Sequence, residues 1–151
     1  MRSPALKILS VLLVVFLVLQ YVLGMVVNMF DNFNNLQIPG NSFFEKIGLA
    51  YAYVHSSAAG IVLELHFFNA CFLLAIALIL MIVGIRKHIR YVWVYSLLIL
   101  ITLFVAANSG AAFLASSQND YYSLSMALSF LLGFGLSLVL CIRIFRGNEL
   151  P

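Results

Sequence analysis

The sequence predicts an all-α fold: an antiparallel four-helix transmembrane bundle with both termini cytoplasmic. Three observations lead there. Of 151 residues, 64% are hydrophobic and only 9% charged, where a soluble domain carries about 25% charged residues. The mean hydropathy is +1.11. The apolar residues also gather into four runs, Ala5–Met29, Ala58–Ile85, Tyr91–Leu114 and Tyr122–Phe145. Each has the roughly 20 residues that a helix needs to cross about 30 Å of hydrocarbon. A cytosolic enzyme, a disordered chain and a nucleic-acid binder are thereby excluded. The pI near 9.0 reflects 8 Lys+Arg against 5 Asp+Glu, too few cations to track a phosphate backbone. The runs fill about two thirds of the chain, leaving residues 1–151 as a single membrane domain.

The first run follows Arg2 and Lys7 like a signal peptide, yet its apolar stretch exceeds the roughly 7–15 residues of a signal core. Asn28-Met29-Phe30-Asp31 follows it, without a small-x-small cleavage pattern. It is expected to be a retained span. Orientation comes from the cations. Arg2, Lys7, Arg86, Lys87, Arg90, Arg143 and Arg146 flank the ends on one side, against Lys46 alone on the other: seven of the 8. The termini and the Arg86–Arg90 turn are therefore expected to be cytoplasmic. Tyr91, Trp93 and Tyr95 would anchor the inner interface, and Phe30, Phe33, Tyr121 and Tyr122 the outer one.

The outer loop, 31–57, begins with turn-forming Asn32, Asn34, Asn35, Pro39 and Gly40. Ser42-x-x-Glu45 then reads as a capping box, with Phe43, Ile47, Tyr51 and Val54 following at helical spacing. This is a short extra helix in the interface or an outward extension of the second span. The lack of Gly or Pro between Tyr51 and Ser57 favours the extension.

Cys71 falls in the outer half of the second span and Cys141 near the inner end of the fourth. A disulfide needs Cα atoms within about 7 Å, so both are expected to be free thiols filling core space, with no metal between them. Small residues mark helix contacts in lipid. Ala106/Gly110 and Ala107/Ala111 supply them in the third span, and Ser129, Gly133 and Ser137 in the fourth. In the first, Gln20, Gly24, Asn28 and Asp31 share a face. These stripes specify the bundle.

Polar residues gather in the outer half: Asn28, Glu64, His66, Asn69, Asn108, Ser109, Ser125 and Ser129, bordered by Asp31, His55 and Asp120. Ionisable groups within spans default to a functional hypothesis, which singles out Glu64 and His66. If the second span enters the bilayer near Ser57, they lie roughly 10–14 Å deep; if nearer Ile61, they are interfacial. Two residues apart, they point to opposite sides of the helix. Asn69 gives His66 a polar partner three residues on, so His66 is expected to face inward and Glu64 a partner chain or headgroups. His66, Asn69, Asn108, Met126 and Ser129 would then converge on a pocket open to the outside. Glu64, His55 and Asn28 are secondary candidates. The other reading is that these groups hydrogen-bond one another and fix helix register.

His and Met are iron ligands, and helix bundles house haem between facing helices. His55 and His66 are about 16 Å apart along a helix axis, so they cannot form a bis-histidine pair. His88 lies among Arg86, Lys87 and Arg90. Haem would fall to His66 with Met126, or to a His66 pair across a dimer.

The stretches Gln20-Tyr-Val-Leu-Gly-Met-Val-Val-Asn28, Glu64-Leu-His66-Phe-Phe-Asn69 and Asn108-Ser-Gly-Ala-Ala-Phe-Leu114, with Ser125-Met-Ala, resemble an uncharacterised family of small prokaryotic four-span membrane proteins. That resemblance covers nearly the whole chain and implies no established activity. The layout is also loosely similar to one four-helix half of haem A synthase, whose outer-side histidines bind haem. Here the second span has a histidine but the fourth has Ser125 or Met126 instead, a departure that argues against the synthase activity.

Other enzyme signals are lacking: no Gly-rich phosphate loop, paired carboxylate or Ser/His/Asp set occurs. No internal repeat or broken span suggests a transporter, and the inner half is too apolar for a channel stripe. The expectation is a multi-pass plasma-membrane protein, leaning away from an enzyme, that acts as a structural or accessory subunit without a cofactor. The alternative is a membrane redox protein holding haem b or a quinone through His66, with Met126 as the second iron ligand. Expected partners are the lipid bilayer and other membrane subunits or a second copy, with no nucleic acid.

Overall fold

The computed structural model describes residues 4–30, 42–55, 60–116 and 119–146. Among them are five helices: α1 (Pro4–Phe30), α2 (Phe43–His55), α3 (Gly60–Arg86), α4 (Arg90–Ala115) and α5 (Asp120–Arg146). No strand occurs among the described residues. α1, α3, α4 and α5 are long and apolar enough to cross a membrane, and each ends within two residues of the run that predicts it. Pro4 opens α1, where its missing N–H goes unmissed and its fixed φ suits the first turn.

The four long helices form a ring. α1 packs against α3 and α5, and α4 against the same two, while the backbones of the diagonal pairs α1/α4 and α3/α5 stay farther apart among the described residues. On α3 the buried positions Asn69, Leu73, Ile76, Ala77, Leu80 and Gly84 recur at helical spacing. They meet Leu6, Leu13 and Leu17 of α1, Val92, Ile99 and Leu103 of α4, and Leu140 and Ile144 of α5 in one apolar core. That core occupies the half of the ring nearest the α3–α4 turn. The outward faces carry Val11, Val15 and Val22 of α1, Phe67 and Phe68 of α3, and Leu131 and Leu132 of α5, all exposed, a surface matched to hydrocarbon rather than water.

The α3–α4 turn is tight because a left-handed residue stops α3. His88 takes the left-handed region at φ 52°. Its N–H donates to Ile85 O at 3.0 Å, and Ile89 N–H donates to Gly84 O at 2.8 Å, the paired bonds of a Schellman stop. A Cβ on Gly84 would stand 2.7 Å from the Trp93 backbone nitrogen, so only glycine lets α4 turn back this closely.

Two expectations change. α2 is a separate helix beside α4 and α3, not an outward continuation of α3. A straight continuation would carry Ser42 about 27 Å beyond Gly60, yet Ser42, Phe43 and Lys46 line one cleft with Ala112, Ala115 and Ser116 of α4. The capping half of the motif does form: Glu45 N–H donates to Ser42 Oγ at 3.2 Å. Cys71 and Cys141 are free thiols, but Cys71 is exposed on α3 rather than in the core, and Cys141 is half-buried.

Candidate functional site

His66 lies in the second turn of α3 and Asn69 one turn further on; both meet Gln20 of α1. Gln20 Nε2 lies 3.0 Å from His66 Nε2. Asn69 Nδ2 donates to Gln20 Oε1 at 2.7 Å and to the Phe16 carbonyl at 3.0 Å. Gln20 and Asn69 are buried, at 8% and 7% exposure, so their polar atoms depend on one another rather than on water.

The Phe16 carbonyl sets the polarity of the whole chain of bonds. A carbonyl only accepts, so the Asn69 amide must turn its NH₂ group toward it. The same NH₂ then meets Gln20 Oε1, which leaves Gln20 Nε2 to donate to His66 Nε2. His66 Nε2 is thus an acceptor, and the proton of the neutral ring sits on Nδ1. His66 Nδ1 and Asn69 Oδ1 are buried without a hydrogen-bond partner among the described residues. A Cβ on Gly24 would lie 3.1 Å from His66 Cε1 and 3.6 Å from Nδ1, so the bare glycine is what admits the ring against α1.

Ser125 and Met126 meet α4 instead. Ser125 Oγ is 2.9 Å from Ser109 Oγ, and Met126 Sδ lies 3.2 Å from where a Cβ on Gly110 would stand. Asn108 is exposed and donates to Phe104 O of its own helix at 2.8 Å. Ser129 and Glu64 are half-buried. The structure therefore brings His66 and Asn69 together, joined by Gln20. Met126 is in contact with α4. The side chains of Asn28 and His55 lie outside the described residues, as do Asp31 and Phe33. Gln20 is the residue that sequence reasoning left out of the site, although its stripe with Gly24 on α1 carried the signal.

No group of three or more His, Cys, Asp or Glu that could hold a metal ion occurs among the described residues. Two clefts open at the ends of the ring. One, of about 300 Å³, is lined by Ser42, Phe43 and Lys46 of α2, Ala112 and Ala115 of α4, Ser116 and Tyr122. The other, of about 480 Å³, lies at the α3–α4 turn between Ile85, His88, Arg90 and Trp93.

Four apolar helices of this length and composition define a multi-pass membrane protein. No family model, curated protein or solved structure matches the chain.

Proposed function

We propose that this chain is a small plasma-membrane subunit with a structural or accessory role and no catalytic chemistry of its own. One observation carries the reading: the polar side chains that gather in one half of the bundle join neighbouring helices. Gln20, His66 and Asn69 tie α1 to α3, and Ser109 with Ser125 ties α4 to α5. Such bonds fix register where hydrophobic driving force between helices is lacking. The contacts also support an antiparallel bundle, since Phe16 meets Asn69 while Gln20 meets His66. The cation asymmetry supports cytoplasmic termini. The exposed apolar faces suit the bilayer, other membrane subunits or a second copy.

A second reading has one observation in its favour. The buried N–H at His66 Nδ1 has no acceptor among the described residues, and a quinone carbonyl would provide one. Haem fits less well, because Nε2 is engaged by Gln20 and Met126 lies against α4. Absorption spectra of detergent-purified protein, oxidised and dithionite-reduced, decide among them, together with analysis of extracted quinone. The accessory reading expects no chromophore, no bound quinone, and for His66→Ala a melting temperature lowered by a few degrees. A Soret band or a stoichiometric quinone lost in His66→Ala would overturn it.

A further inference from the structure

We infer that the cleft between α2 and the adjoining ends of α4 and α5 binds the phosphate group of a phospholipid, with Lys46 as its charged contact. The inference rests on the membrane-spanning reading but not on the accessory role. Among the described residues Lys46 is the one Lys or Arg at this end of the bundle, and it lines the cleft. Around it the lining divides into two kinds. Ser42, Ser116 and Tyr122 bring hydroxyl groups to the lining, that of Ser116 donating to Phe113 O at 3.5 Å, while Phe43, Ala112 and Ala115 make an apolar wall. Ser42 Oγ accepts the Glu45 N–H, which leaves its own proton to donate. Glu45 and Asp120 are exposed nearby and are not part of the lining.

A cation, the Ser42 and Tyr122 hydroxyls and an apolar wall in about 300 Å³ match an anion that carries hydrocarbon. The surroundings select a lipid over a free ion. On two of the helices that line the cleft, Phe44 and Leu49 of α2 and Tyr121 of α5 are exposed, Phe44 at 82% and Tyr121 at 81%. Exposed aromatic residues of this kind sit at headgroup depth. A phosphate held by Lys46 would leave its acyl chains to run down the exposed apolar face of the ring.

The test uses the full chain in detergent, with native mass spectrometry counting bound lipid. The second cleft also carries a cation, Arg90, so every comparison is made in an Arg90→Gln background. Palmitoyl-oleoyl phosphatidylglycerol is expected to bind one per chain, and dioleoylglycerol, which lacks phosphate, is not. Lys46→Gln should weaken the lipid about tenfold, the loss of one charge-assisted hydrogen bond. Ser116→Leu, which fills the cleft and keeps the charge, should weaken it similarly. Undiminished binding in either variant would overturn the site, as would inorganic phosphate competing as strongly as the lipid. Carbonate-washed membranes provide the separate control. If the chain itself leaves the pellet, the membrane reading fails; if it stays while Lys46→Gln binds lipid normally, only the cleft fails.

Discussion

At His66 the direction of the ring's hydrogen bond is decided by a backbone carbonyl on another helix. Phe16 O orients the Asn69 amide, Asn69 orients Gln20, and Gln20 donates to Nε2. Nitrogen-15 spectra of histidine-labelled protein should therefore show His66 with a protonated Nδ1 and a bare Nε2. In Gln20→Leu that preference should disappear; a ring protonated on Nε2 in the unaltered protein would contradict the bond order. Asn69→Ala removes two bonds and leaves Gln20 Oε1 without its donor. Hydrogen bonds between membrane helices contribute on average about 0.6 kcal/mol each, so a loss of about 1 kcal/mol in reversible unfolding is expected. The pairing of His66 with Asn69 was legible because both lie on one helix, three residues apart. Their partner was not, because choosing among Gln20, Asn108 and Met126 depends on which helices are neighbours in the ring, and periodicity within one helix does not contain that.

Among the elements, the four long helices were legible almost to the residue, since each is bounded by the change from apolar to polar composition. α2 was legible as a helix and not in its direction. Little that is local distinguishes a helix that continues α3 from one folded beside α4, and the deciding arrangement, Ser42 and Phe43 lining one cleft with Ala112 and Ala115, joins residues far apart in sequence. Gly60, buried at the start of α3, was the nearest hint of a break. The α3–α4 turn offers the sharper experiment. Left-handed backbone at His88 costs an L-residue about 1–2 kcal/mol. His88→Gly should therefore hold or raise stability by up to about 1 kcal/mol, and His88→Val should lower it by about as much, because β-branching is disfavoured there. Gly84→Ala must move the Trp93 backbone, and overpacking of that kind costs about 1–3 kcal/mol. Reversible unfolding of the three variants checks the order Gly at 88, unaltered chain, Val at 88; Gly84→Ala as stable as the parent would refute the close approach.

Across the whole molecule, charge and packing divide the same way. The apolar core lies toward the α3–α4 turn, where Arg86, Lys87 and Arg90 stand, and the termini of α1 and α5 bring Lys7, Arg143 and Arg146 to that end. Two of these cations lie over aromatic rings, Lys7 over Phe145 and Arg143 over Tyr95, each 5.3 Å from the centroid. Such contacts hold long side chains at a bilayer boundary while their stems cover apolar surface. The opposite end has Lys46 and the polar cluster of Gln20, His66, Asn69, Ser109 and Ser125. Because positive charge near span ends sets orientation through the side on which it is retained, the Lys7–Arg143 end should be cytoplasmic. Alkaline phosphatase fused after Pro151 should then be inactive, whereas its insertion at Gln118, between α4 and α5, should be active outside the membrane. The paired fusions separate two failures. Activity at both positions would mean that α5 does not cross, and activity at Pro151 with none at Gln118 would mean that the bundle is inverted and the cation rule does not govern this chain.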